Sequence, residues 1–146
     1  MDTELKTKKK WSLRRKILTA FLAMAGVATM VIMPGLFWDL HEANKALHGF
    51  CDALVAKQYK AAYGFTSKEF QASVDFKTFA QVHGDLTLRM GDLKSAEVTH
   101  SEIKDQSGGS YGTAETTMNF AHGSLTFIYV LKKNGGSWEI YNYHEQ

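Results

Sequence analysis

The residues of this chain that could do chemistry are few and scattered. Six histidines invite a metal site, yet none stands in an HxxxH or HxH pair. His41 and His48 fall two helical turns apart, about 10 Å, too far to share one ion. The histidines read as solvated or capping side chains, and His48 with Asp52 has the i, i+4 spacing of a helix surface pair. Cys51 is the one cysteine; it falls inside an apolar stripe, where a thiol without a neighbouring base is a small buried residue and not a nucleophile. It can form no intramolecular disulfide, so cysteine usage leaves the redox compartment open. Gly108-Gly109-Ser110 and Gly135-Gly136-Ser137 look like phosphate loops, but neither is followed by Lys-Ser/Thr or by a helix. They read as hairpin turns. The expectation is no metal, no cofactor and no catalytic constellation.

Aromatic side chains are the richer signal. Tyr59, Tyr63, Phe65 and Phe70 cluster within twelve residues, and with Trp138 they form a candidate ligand pocket. The competing reading is helix-on-sheet packing, because a domain of this size needs such rings to fill its core. Trp138, Ile140 and Tyr141 fall under the same alternatives.

The elements that would position these residues follow from periodicity. Residues 40–60 predict one helix, with Leu47, Phe50, Cys51, Leu54 and Val55 at i, i+3, i+4, i+7 and i+8. Thr66 with Glu69 has capping-box spacing, and Ser73 with Asp75 offers a second start ahead of Phe76, Phe79 and Val82, so two short helices follow. After Gly84 the chain turns to Thr-, Val-, Tyr- and Phe-rich stretches broken by Gly-containing turns, which predict strands over 93–104, 110–120, 124–133 and 137–144 as an antiparallel meander. On the second strand Ala114, Thr116, Met118 and Phe120 alternate with Thr113, Glu115, Thr117 and Asn119, an inner and an outer face. The third, Leu125 to Leu131, is apolar at almost every position, as for a central strand covered on both sides or a dimer contact. Phe127, Tyr129 and Tyr143 are the candidate interface residues. Helices first and strands after make an α+β plan, in which the helices cover one sheet face.

Charge divides the chain. Its first sixteen residues hold seven basic side chains against two acidic ones, a local +5, while from Asp39 onward ten basic face thirteen acidic, or −3. A basic face for phosphate is therefore missing from the domain, and nucleic acid is not an expected partner. Between these regions, Ile17 to Trp38 runs twenty-two residues without a charge. A helix of that length spans about 33 Å, enough for a hydrocarbon core of about 30 Å. Trp11 on one side and Phe37 with Trp38 on the other suit the headgroup layers, and Pro34 falls in the last turn. The alternative, a signal peptide cut at Ala23-Met24-Ala25, would leave a six-residue apolar core, shorter than the 7–15 such signals use. The organisation expected is a basic cytoplasmic tail over 1–16, a transmembrane helix over 17–38 in contact with the lipid bilayer, and an exported domain over 39–146. With the basic flank inside, that domain lies in the periplasm or outside the cell.

The element order, Phe50 to Ser67 (FCDALVAKQYKAAYGFTS), Phe70 with Phe76 and Phe79, and the ending Leu131 to Tyr141 (LKKNGGSWEIY) resemble the nuclear transport factor 2-like superfamily over residues 42–145. The resemblance implies a cone, a long first helix held by a curved four-stranded sheet, with the Tyr59–Phe70 cluster near its open mouth. Membrane-anchored bacterial members are the group the chain looks like. The isomerases of that superfamily use a carboxylate in an apolar pocket as general base. Glu97, Glu102 and Glu115 are the mid-strand acids before the last strand; parity turns Glu115 to water, and Glu97 and Glu102 should lie on opposite faces of one strand. None stands out. The function expected is a non-catalytic interaction or assembly domain, whose partners are other membrane or periplasmic proteins or a second copy joined through the sheet. The alternatives are a binder of a small apolar ligand in the cone and an isomerase or dehydratase.

Overall fold

The computed structural model describes residues 37–146. The expected tail over 1–16 and span over 17–38 fall outside the described residues, apart from Phe37 and Trp38. Among the described residues no helix is long and apolar enough to cross a membrane.

Four helices precede four strands: α1 described over 37–55, α2 Tyr59–Gly64, α3 Lys68–Ser73, α4 Phe76–Met90, β1 Leu93–Gln106, β2 Gly109–Phe120, β3 Gly123–Asn134 and β4 Ser137–Glu145. The strands form one antiparallel sheet in the order β1-β2-β3-β4, the expected meander. Each turn sits where glycine allows it, and Gly135 and Gly136 both take positive φ in the two-residue turn joining β3 to β4.

The helical half departs from expectation in three places. The predicted 40–60 helix ends at residue 55, because Lys57 adopts the left-handed conformation (φ 58°). Lys57 N–H then donates to the Leu54 carbonyl and Gln58 N–H to the Ala53 carbonyl, the paired bonds of a Schellman stop. A lysine where glycine is usual left no stop signal in the sequence. Its ammonium, 2.6 Å from Asp92, ties this turn to the start of the sheet. The remaining residues form the separate helix α2. The start of α3 also shifts by one residue: Ser67 is the N-cap, its hydroxyl accepting from Phe70 N–H, and not Thr66. Asp75 caps α4 through Thr78 N–H as expected, but α4 runs fifteen residues and is not short.

Helices and sheet meet on one face. Leu47, Phe50, Cys51 and Leu54 of α1 and Phe79 and Leu86 of α4 pack on Ala114, Met118, Phe127, Tyr129, Leu131 and Ile140. Strand β2 alternates buried and half-exposed residues from Tyr111 to Phe120, with Ala114, Thr116, Met118 and Phe120 inside. Between α2 and α3, residues 65–67 run beside β4: Ser67 N–H donates to the Ile140 carbonyl and Ile140 N–H to the Phe65 carbonyl.

Phe50, fully buried, touches Phe79, Tyr129 and Tyr143 at centroid separations of 5.6–6.2 Å. Phe50→Ala should cost about 3–5 kcal/mol in urea denaturation, because three rings on separate elements lose their common partner. Lys57→Gly should raise the denaturation midpoint, since glycine takes positive φ without a Cβ penalty and the ion pair given up is an exposed one.

Candidate functional site

The inner face of the sheet and the helices over it bring four ionisable groups, Cys51, His83, Tyr129 and Tyr143, into an aromatic interior. Register sets Tyr129 opposite Tyr143 on neighbouring strands, rings 5.3 Å apart. From α4, His83 reaches the same place: Nε2 lies 3.0 Å from the Tyr143 hydroxyl, the Phe79 ring is 4.6 Å away edge-on, and Tyr59 of α2 stacks on the imidazole at 6.2 Å. Which of His83 and Tyr143 donates depends on the imidazole tautomer. Cys51 and Tyr129 complete the group, the Tyr129 hydroxyl pointing at the Met118 sulfur at 3.8 Å.

Burial holds all of these groups in their neutral forms. It pushes the Cys51 thiol up to about 12, with Asp52 adding to the effect, and the Tyr143 hydroxyl to about 12. Tyr129 is raised well above the ordinary phenol range for the same reason. His83, 7% exposed, is pulled down to about 4 by desolvation. A thiol so raised is no thiolate nucleophile at neutral pH, which agrees with the inert reading of Cys51. No Asp or Glu among the described residues is buried. Nor do three His, Cys, Asp or Glu side chains gather as a metal would require, again among the described residues.

The candidate pocket residues divide into two groups. Tyr59, Tyr63 and Phe70 belong to the packed interior. Tyr63 lies 5.6 and 5.3 Å from the rings of Phe76 and Phe79 and donates its hydroxyl to the Val74 carbonyl at 2.8 Å. Phe70 stacks on Tyr143 at 5.7 Å and meets Phe79 edge-on at 6.3 Å. Phe65 and Trp138 instead line a surface groove of about 420 Å³ between α1 and the start of β4, with Glu42, Lys45, Gly64 and Glu139. That volume lies within the roughly 300–1,000 Å³ of ligand sites.

Phe127 and Tyr129, two of the candidate interface residues, lie on the inner face of β3, 6% and 0% exposed, and Tyr143, the third, packs with them. A strand apolar at nearly every position hides its own parity. The pairing of Phe127 with inward-facing Thr116 reveals it, and leaves Thr126, Ile128 and Val130 on the outer face. Glu97 and Glu102 do not fall on opposite faces. A β-bulge between Val98 and His100 adds a residue to β1, so Glu97 pairs with Thr117 and Glu102 with Thr113, both on the outer face with Glu115. Lys104 and Thr113 bind Glu102 there and hold its carboxyl below the ordinary range.

The expectation of solvated histidines holds for His41, His48, His100, His122 and His144, all exposed, and fails for His83. The signal was present, since His83 continues the stripe of Phe79, Leu86 and Met90 on α4.

Unfolded histidine takes up its proton near pH 6.5, whereas folded His83 does so near pH 4. Below pH 6.5 the unfolded state therefore gains protons that the folded state does not, and stability falls until about pH 4, by on the order of 3 kcal/mol. Urea midpoints measured from pH 7.5 to 4 should show this slope in the native chain and a shallower one in His83→Phe. Tyr143→Phe should retain it, because desolvation is the cause.

Comparison with protein-family models and with curated proteins finds no match to this chain. Its function has to be read from its own side chains.

Proposed function

We propose that this chain is a membrane-anchored, non-catalytic interaction or assembly domain, held outside the cytoplasmic membrane by the apolar segment 17–38 with its N-terminus inside. The observation that carries the reading is the filled, neutral interior. Each of the rings of Phe50, Phe70, Phe79, Tyr129 and Tyr143 stands 5.3–6.3 Å from at least two of the others, where a ligand or substrate would have to sit. Acid–base chemistry of the isomerase kind needs a buried carboxylate of raised pKa, and every acid described lies at least partly in water.

We read the fold as a nuclear transport factor 2-like cone. The order of four helices and a four-stranded meander supports this, as does α1 lying along the inner face of the sheet. The anchor rests on the uncharged run from Ile17 to Trp38 and on the change from +5 to −3 across it. Trp38, 65% exposed, is a surface indole of the sort that suits a headgroup layer.

Carbonate washing should leave the full chain in the membrane pellet, and protease added to spheroplasts should digest the C-terminal domain. Crosslinking in intact membranes should then recover a defined partner or a homodimer. A chain extracted by carbonate, or one that stays monomeric and alone under every crosslinker, would sink the proposal.

A further inference from the structure

The sheet has two edges, and they differ in how they are protected. The β1 edge carries Lys94, Glu97, His100, Lys104 and Asp105 and is bent by its bulges, features that discourage another strand from adding. The middle of the β4 edge is also occupied. Ile140 spends its outward N–H and C=O on residues 65–67. Beyond it the register slips at Tyr141, and the Asn142 side chain accepts from Tyr143 N–H at 2.9 Å.

Trp138, at the start of the strand, is open, as Glu145 is at its end. Residues two apart on a strand direct their main-chain groups to the same edge, so the N–H and C=O of Trp138 point outward as those of Ile140 do. No backbone partner meets them among the described residues. The side chain is 5% exposed, and its indole Nε1, fully buried, has no acceptor among the described residues. The six-membered ring reaches over Gly112, with Cζ3 about 3.6 Å from where a Cβ would stand. The indole Nε1 is thus a buried donor without a partner among the described residues, and the two main-chain groups at the edge are free to bond outside the sheet. Trp138 borders the groove of about 420 Å³ that Glu42, Lys45 and Ala46 of α1 and Gly64 and Phe65 also line.

We propose that this groove takes up an extended segment of a partner protein as an added strand on β4 at Trp138, in the position that residues 65–67 occupy beside Ile140. The main chain of that segment satisfies Trp138, and its apolar side chains meet Phe65 and the indole. Charge selects basic residues in it. Glu42 and Glu139 flank the groove against Lys45 alone, which is itself 3.9 Å from Glu42, and the chain from Asp39 onward is −3. This identifies the contact surface of the interaction domain proposed above and rests on that reading.

The test uses the full-length chain in detergent micelles with its three tryptophans labelled with nitrogen-15. The probes are an alternating valine–lysine decapeptide and its valine–glutamate counterpart. The lysine peptide should shift the Trp138 amide and indole signals saturably and bind at least about tenfold tighter than the glutamate peptide. Gly64→Phe, at a position where a Cβ meets nothing within 4 Å, fills the groove without disturbing the fold and should weaken that binding about tenfold or more. No shift at Trp138, equal binding of the two peptides, or binding unaffected by Gly64→Phe would each overturn the proposal. Crosslinking in native membranes separates the two levels. A partner recovered equally by native chain and Gly64→Phe sinks the groove and leaves the interaction reading standing, whereas no partner for either sinks both.

Discussion

Phe50 is the hinge of this domain's energetics. It sits on α1 with no exposure to water, and its ring meets Phe79 from α4, Tyr129 from β3 and Tyr143 from β4. A sheet with one apolar face and two amphipathic helices cannot bury their stripes separately, so this contact joins the layers. Edge-to-face and tilted rings at 5–6 Å contribute beyond the area they bury, and they fix orientations that aliphatic side chains would leave loose. The caps at Ser67 and Asp75 and the stop at Lys57 aim the helices at that point.

Filling the interior with rings has an electrostatic consequence. Cys51, His83, Tyr129 and Tyr143 are enclosed with few polar partners, and desolvation drives each toward its neutral form. Pairs of titratable groups with widely separated pKa values often mark acid–base sites, yet here the common cause is burial and no charged partner acts on His83. The His83–Tyr143 contact reads as a satisfied polar pair inside a core. The burial of His83 also couples the stability of the domain to acidity.

Where the interior is closed, the surface is the place for specificity. The outer sheet face carries Glu97, Glu102, Glu115 and several threonines, with Ile128 and Val130 half-buried between them. The groove beside Trp138 differs in kind, because it sets Phe65 and an indole beside main-chain groups that lack backbone partners among the described residues. Unsatisfied polar groups are costly in a folded protein, and those that persist beside a cleft point to a ligand that completes them.

The sequence by itself determined the class, the strand boundaries and the face of β2, because turn glycines and strict alternation are local signals that survive folding unchanged. It also separated a basic, apolar N-terminal region from a mildly acidic domain. Only the tertiary structure decided which way β3 faces, since its side chains are apolar on both sides and parity came from pairing with Thr116. The same holds for Glu97 and Glu102, whose shared face depends on a bulge that no composition announces, and for the end of α1, where Lys57 takes a conformation usually reserved for glycine. Among the candidate residues the aromatic types were legible, but their division was not. Tyr59, Tyr63 and Phe70 went to the core while Phe65 and Trp138 went to the groove, because that division depends on where three distant segments meet, and periodicity within one segment carries no record of the others.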